Sequence, residues 1–227
     1  MPDLQRILDA CWRYPFPLEF DVPEGYVISE EEQAMIDNAE LSLVGWGFTV
    51  YRTYYGPGSD ENWDTLCNKA KEEADKELMA CIYNGNEEIT EKLKPLFRLD
   101  ARSDPALLDG LSLAELCKVY KDKTGGEPEP VHQCCVFLVA DEQVISQIGQ
   151  GNFIIKAVDA DSPPSPQEGV SVKSRTNGFS WGWHVVQMRR MLEFWCMLDI
   201  CLPHQCMCWA VDESELYIMV WEGCDGS

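Results

Sequence analysis

The sequence predicts an α+β fold, a ferredoxin-like sandwich with an antiparallel sheet carrying helices on one face, extended by a C-terminal helix and β-hairpin. Three observations predict it. Strand-like and helical segments alternate between residues 45 and 158 in the order β-α-β-α-β-α-β, and packing helices on one sheet is the economical way to bury such a set. Hydrophobic content of 45% with 25% charged residues is that of a chain with an ordinary globular core. Beyond residue 180, Val185–Asp199 reads as an amphipathic helix, and Cys206–Val211 with Leu216–Trp221 as a hairpin around Asp212-Glu213-Ser214-Glu215.

Residues 1–42 read as an N-terminal extension packing on a single α+β domain that spans 43–227. Leu4, Ile7, Leu8 and Cys11 share one helical face, and Tyr14-Pro15-Phe16-Pro17 ends that helix because proline removes a donor and restricts its predecessor. Ser29-Glu30-Glu31-Glu32 resembles a capping box for a helix over 31–41. Gly45–Tyr55, dense in aromatic and β-branched residues, is the clearest strand, and Gly56-Pro57-Gly58 breaks it. Ser59 or Asp60 then caps a helix over 60–83, whose stripe is Trp63, Leu66, Cys67, Ala70, Ala74, Leu78 and Cys81. Asn84-Gly85-Asn86 stops it. Leu96–Ala101 follows as a strand, and Ser112-Leu113-Ala114-Glu115 opens a helix that runs to Lys123. His132–Ala140 is apolar throughout, suited to the middle of a sheet. Asp141 caps a short helix ending at Ile148, Phe153–Val158 is the next strand, and 161–180 is a flexible loop rich in Pro, Ser and Gly.

The formal net charge of −21 excludes whole classes of partner. A surface that acidic repels phosphate backbones and anionic lipid, so neither nucleic acid nor membrane is expected to bind it. Met1–Trp12 carries Asp3, Arg6 and Asp9 and lacks the apolar run of a signal peptide, and no stretch approaches the ~18 apolar residues of a membrane span. The odd total of 11 cysteines fits reduced thiols packed in a cytoplasmic protein better than a disulfide framework. Cys196, Cys201, His204, Cys206 and Cys208 cluster without paired zinc knuckles and read as buried thiols, so no metal is expected. Gly149-Gln150-Gly151-Asn152 lacks the lysine and the strand-turn-helix context of a phosphate loop, and no nucleophile motif occurs. The chemistry expected is therefore free of cofactors.

Alternation along the first strand puts Trp46, Phe48, Val50, Arg52 and Tyr54 on one face and Thr49, Tyr51, Thr53 and Tyr55 on the other. Arg52 and Tyr54 are candidate catalytic residues, because a guanidinium fork or a phenol polarises a carbonyl as charge develops. Tyr51, Tyr55 and Trp63 are candidate substrate-binding residues beside them. The competing reading makes the aromatics core and pairs Arg52 with Asp100 or Asp159. Phe179-Ser180-Trp181-Gly182-Trp183-His184 is a second cluster, with Trp181 and Trp183 as a lid over an apolar pocket and His184 as general acid or base. In its competing reading the tryptophans anchor the loop and His184 starts a helix.

The segment GWGFTVYRTYYGPGSDENW, followed by DPALLDGLSLAEL, FLVADEQVI and FIIKAVDAD, resembles a family of uncharacterised proteins from filamentous fungi. That family carries a GF-x-(V/I)-YR strand, a short turn and an acidic Trp-containing helix start, and the likeness spans roughly residues 44–161. The family has no established common activity, but small cofactor-free fungal proteins of this size include cyclases of secondary metabolism. The expectation is a cofactor-free cyclase or isomerase acting on an apolar small molecule, which it would fold into a reactive conformer. The alternative is a non-catalytic interaction module of the cytosol, with exposed aromatics as its partner patch. A homodimer through an open sheet face or edge is compatible with either.

Overall fold

In the computed structural model, which describes residues 4–11, 29–30, 45–82, 87–128, 135–161, 182–200 and 219–221, β1 (Trp46–Arg52) is buried along its whole length. It is flanked on both sides by parallel strands, β2 (Phe97–Arg102) and β3 (Val136–Ala140). From β3 the sheet continues antiparallel through β4 (Ile154–Asp159) and β5 (Trp183–Gln187) to a short parallel β6 (Val220–Trp221). The result is one 6-stranded mixed sheet in the order β2-β1-β3-β4-β5-β6.

This corrects the expected antiparallel sheet with helices on one face; what stands is the mixed α+β class. The connection from β1 to β2 runs through α2 (Ser59–Ile82) and α3 (Glu87–Leu93). The connection from β2 back past β1 to β3 runs through α4 (Pro105–Leu108) and α5 (Leu113–Lys121). Parallel crossovers are right-handed, so two that step in opposite directions must lie on opposite faces. They do. Trp46, Phe48 and Val50 pack with α2 and with α6 (Glu142–Gly149) and α7 (Met191–Ile200), while Tyr51, Phe137 and Val139 pack with Leu108, Leu116 and Cys117 of α4 and α5. Cover on both sides is why β1 is buried at every position and β3 carries apolar side chains throughout instead of alternating ones.

Most local signals hold. Leu4, Ile7 and Leu8 of α1 (Leu4–Ala10), with Cys11, are buried in the same core as α2 and α7. Ser112 and Glu115 form the predicted capping box, and the Asp141 carboxylate accepts from the Val144 N–H at the start of α6. Gly47 is where β1 and β2 approach too closely for a side chain: at φ +129°, a Cβ there would lie 2.0 Å from the Arg98 carbonyl oxygen. Trp46 Nε1 donates to the Leu93 carbonyl at 2.8 Å and ties the sheet to α3.

One segment reads differently. Val185–Gln187, expected to begin the last helix, belongs to β5, and the helix starts at Met191. The β-branched pair Val185–Val186 sits beside Lys156 and Ile155 of β4 and fills a covered strand, which a helical count of apolar residues does not distinguish from a buried helix. Val220–Trp221 joins β5 in parallel; residues 206–211, the expected hairpin partner, and most of the loop 161–180 lie outside the described residues. α7 is held to α2 by Glu77, whose carboxylate accepts the N–H groups of Leu192 at 2.9 Å and Glu193 at 3.0 Å in the helix's first turn. Burial is the largest influence on that carboxyl and pushes its pKa up to about 7.

Candidate functional site

The carboxyl ends of β1, β2 and β3 lie together at one edge of the sheet. The helices after β1 and β2 leave towards opposite faces there, the place where open α/β sheets form ligand crevices. Arg52 closes β1 at this edge with its guanidinium buried. Nε donates to the Tyr54 carbonyl (2.9 Å), Nη2 to Ser59 Oγ (2.7 Å) and Asp60 Oδ1 (2.5 Å), and Nη1 reaches Ser103 Oγ (3.5 Å). The flat of the guanidinium lies 4.4 Å from the centre of the Tyr55 ring and 5.9 Å from that of Trp63. Tyr55 donates in turn to the Arg52 carbonyl at 3.0 Å, and burial raises its phenol's pKa. The carboxylate that pairs with Arg52 is therefore Asp60; Asp100 instead receives Arg102 and Thr49. Arg52, Tyr55 and Trp63 come together here as the brace that binds the turn 53–58 to the start of α2.

That brace aims Tyr54. Its ring folds over Gly56, where a Cβ would sit 2.1 Å from the phenol oxygen, so a side chain there would displace the ring. Tyr54 lines an open cleft of about 710 Å3 with Asn62 of α2, Asp141, and Glu142, Ser146 and Gln150 of α6 or its end. The Tyr54 hydroxyl has no hydrogen bond among the described residues, so it can donate to a ligand. Asp141 is rigid by contrast: Oδ1 accepts the Val144 N–H at 3.0 Å and Oδ2 the Lys156 ammonium at 2.5 Å. Lys156 is only 3% exposed and lies 4.4 Å from the centre of the Trp183 ring. Sequence reasoning named Asp141 only as a helix cap and missed Lys156. The signal was a lone lysine inside FIIKAVD, which a covered strand tolerates only with a partner.

The remaining predicted residues lie elsewhere. Tyr51 is buried on the opposite face, edge-on to Phe137 at 5.4 Å, with its phenol's pKa raised by burial. Trp183 is buried as the platform for Lys156, and Trp181 is outside the described residues. His184 is neither a lid residue nor the start of a helix. It is 0% exposed in β5, edge-on to Phe194 of α7 at 5.2 Å, and neither ring nitrogen has a hydrogen-bond partner among the described residues. Burial drives its pKa down to about 3, and it does not line the Tyr54 cleft. Cys196 is a buried thiol in α7, while Cys201, His204, Cys206 and Cys208 are outside the described residues. Among the described residues no group of three His, Cys, Asp or Glu side chains is placed to hold a metal ion, and no helix is long and apolar enough to cross a membrane.

Comparison with known protein families, with curated proteins and with solved structures finds no match. Chemically, the cleft offers a phenol donor, a clamped carboxylate and several side-chain amides around one opening. That set can orient a polar group and stabilise charge as it develops.

Proposed function

We propose that the protein is a cofactor-independent cyclase or isomerase acting on a small molecule held in the Tyr54 cleft. The observation that carries this reading is Tyr54 itself: it lines an open cleft that neither Arg52 nor His184 lines, and it shares that cleft with the clamped carboxylate of Asp141. Tyr54 donates its hydroxyl proton in a hydrogen bond to a carbonyl oxygen of the substrate as negative charge builds there. Asp141, fixed by Lys156 and the Val144 N–H, stabilises positive charge on the far side or takes a proton. Arg52 is a positioning residue in this scheme, and His184 has no part in it. The polar lining favours a substrate with carbonyl or hydroxyl groups on its apolar skeleton, which narrows the wholly apolar molecule expected from sequence. A role in fungal secondary metabolism fits the family resemblance. The interaction-module reading has less support: the large hydrophobic side chains exposed among the described residues are Met79 and Met219, and neither is aromatic.

Incubating the protein with a metabolite extract of its source and following the mixture by chromatography and mass spectrometry tests this reading. A cyclisation or isomerisation conserves mass, so a consumed component must reappear at the same mass with a new retention time. Tyr54→Phe is expected to slow that conversion by about 10²-fold and Asp141→Asn by at least as much, within the usual range for removing one donor or one acid–base group. An extract unchanged by the wild type, or converted equally fast by Tyr54→Phe, would overturn the assignment.

A further inference from the structure

A second cleft shares Gln143 and Gln147 with the first but opens towards β4 and β5, and we propose that it binds a small amphipathic carboxylate. It encloses about 510 Å3 between the middle of α2, the end of α6, the start of β4 and the end of β5. Arg189 stands at its rim. Nε donates to Gln187 Oε1, while Nη1 and Nη2 have no partner among the described residues. A guanidinium edge left open beside a cavity is the geometry that receives a carboxylate through paired hydrogen bonds.

The rest of the lining agrees with that ligand. Glu73 is matched by Lys69 at 2.9 Å and Lys76 at 3.1 Å, and Lys69 is shared with Glu72 at 3.2 Å, so the uncommitted charge in the lining is that of Arg189. The cleft is thus locally cationic on a chain whose net charge is −21. Phe153, Ile154 and Val220 supply apolar walls, and the Lys69 ammonium lies 4.9 Å from the centre of the Phe153 ring. An anion with a short apolar body satisfies both halves. A dianionic phosphate does not, because one guanidinium edge offsets little of the surrounding field and the apolar walls would go unused. This site goes beyond the Tyr54 cleft, and its test reads binding instead of turnover, so either proposal can fail alone.

The experiment is calorimetric titration of the full chain with three probes of one shape: 4-phenylbutyrate, 4-phenylbutyramide and 4-phenylbutylamine. The acid is expected to bind about tenfold or more tightly than the amide, the difference one charge-assisted bidentate contact supplies, with the amine weakest. Arg189→Gln should bring the acid to the amide's affinity and leave the amide unchanged. Arg189 is exposed and makes a single side-chain hydrogen bond among the described residues, so the variant should keep the wild-type melting temperature. Equal binding of acid and amide by the wild type, preference for the amine, absence of binding by all three, or an acid preference that survives Arg189→Gln would each overturn the proposal.

Discussion

Arg52 is buried while its carboxylate partner Asp60 is 89% exposed, and that asymmetry sets what each substitution costs. Arg52→Met removes the brace and leaves Ser59 and the Tyr54 carbonyl without their donor, so a loss of about 3 kcal/mol in urea denaturation is expected. Asp60→Asn should cost less than about 1 kcal/mol, because the other bonds to Arg52 remain and its own carboxylate is solvated. Strand alternation was enough to read which face Arg52 and Tyr54 share, since period two is local. Its partner was not legible, because Asp100, Asp159 and Asp60 differ only in where a turn and a neighbouring strand carry them.

His184 makes a second residue-scale prediction. With its folded pKa near 3 and its unfolded value at 6.5, it adds stability that is complete above pH 6.5 and is lost as pH falls towards 3. Its share of the loss between about pH 7 and about pH 5 is about 2 kcal/mol, and His184→Leu, which keeps an apolar filling, should remove that slope. Urea midpoints of both proteins at the two pH values check this; equal slopes would contradict it.

Among elements, α7 is docked by groups of opposite acid response. Glu77, with its folded pKa raised from 4.5 to about 7, contributes stability that is complete below pH 4.5 and is lost as pH rises through 7. In the wild type this offsets part of the His184 slope. The His184→Leu protein should therefore lose stability as pH rises from 5 to 8, and adding Glu77→Gln should flatten that response. Amide exchange in α7 reports it locally. The β1–β2 pairing has its own test: Gly47→Ala forces a Cβ against the Arg98 carbonyl at a positive φ and should cost about 3 kcal/mol or more. Elements with local punctuation were legible: α2 by its stripe, α5 by its capping box, α6 by Asp141. β5 was misread because Val185, Met188, Met191 and Leu192 also satisfy a helical period, and only packing against β4 separates the two readings.

For the molecule as a whole, sheet order lay beyond the sequence because it is set by crossovers between distant segments. Two cues did point to it: β3 lacks a polar face, and β1, β2 and β3 are joined through helices long enough for parallel connections. The Tyr54 cleft follows from that order, since β1 and β3 end side by side only when both run parallel. The Lys156–Asp141 pair depends on it too, bridging β4 to the exit of β3. The most direct test fills the cleft without touching its chemistry. Ser146 is exposed on α6 and lines the opening, so Ser146→Trp should leave the melting temperature unchanged and occupy the substrate's place. Wild type is expected to convert a metabolite to a product of equal mass, and Ser146→Trp, equally well folded, is not. Wild-type turnover by Ser146→Trp would contradict the assignment of the cleft.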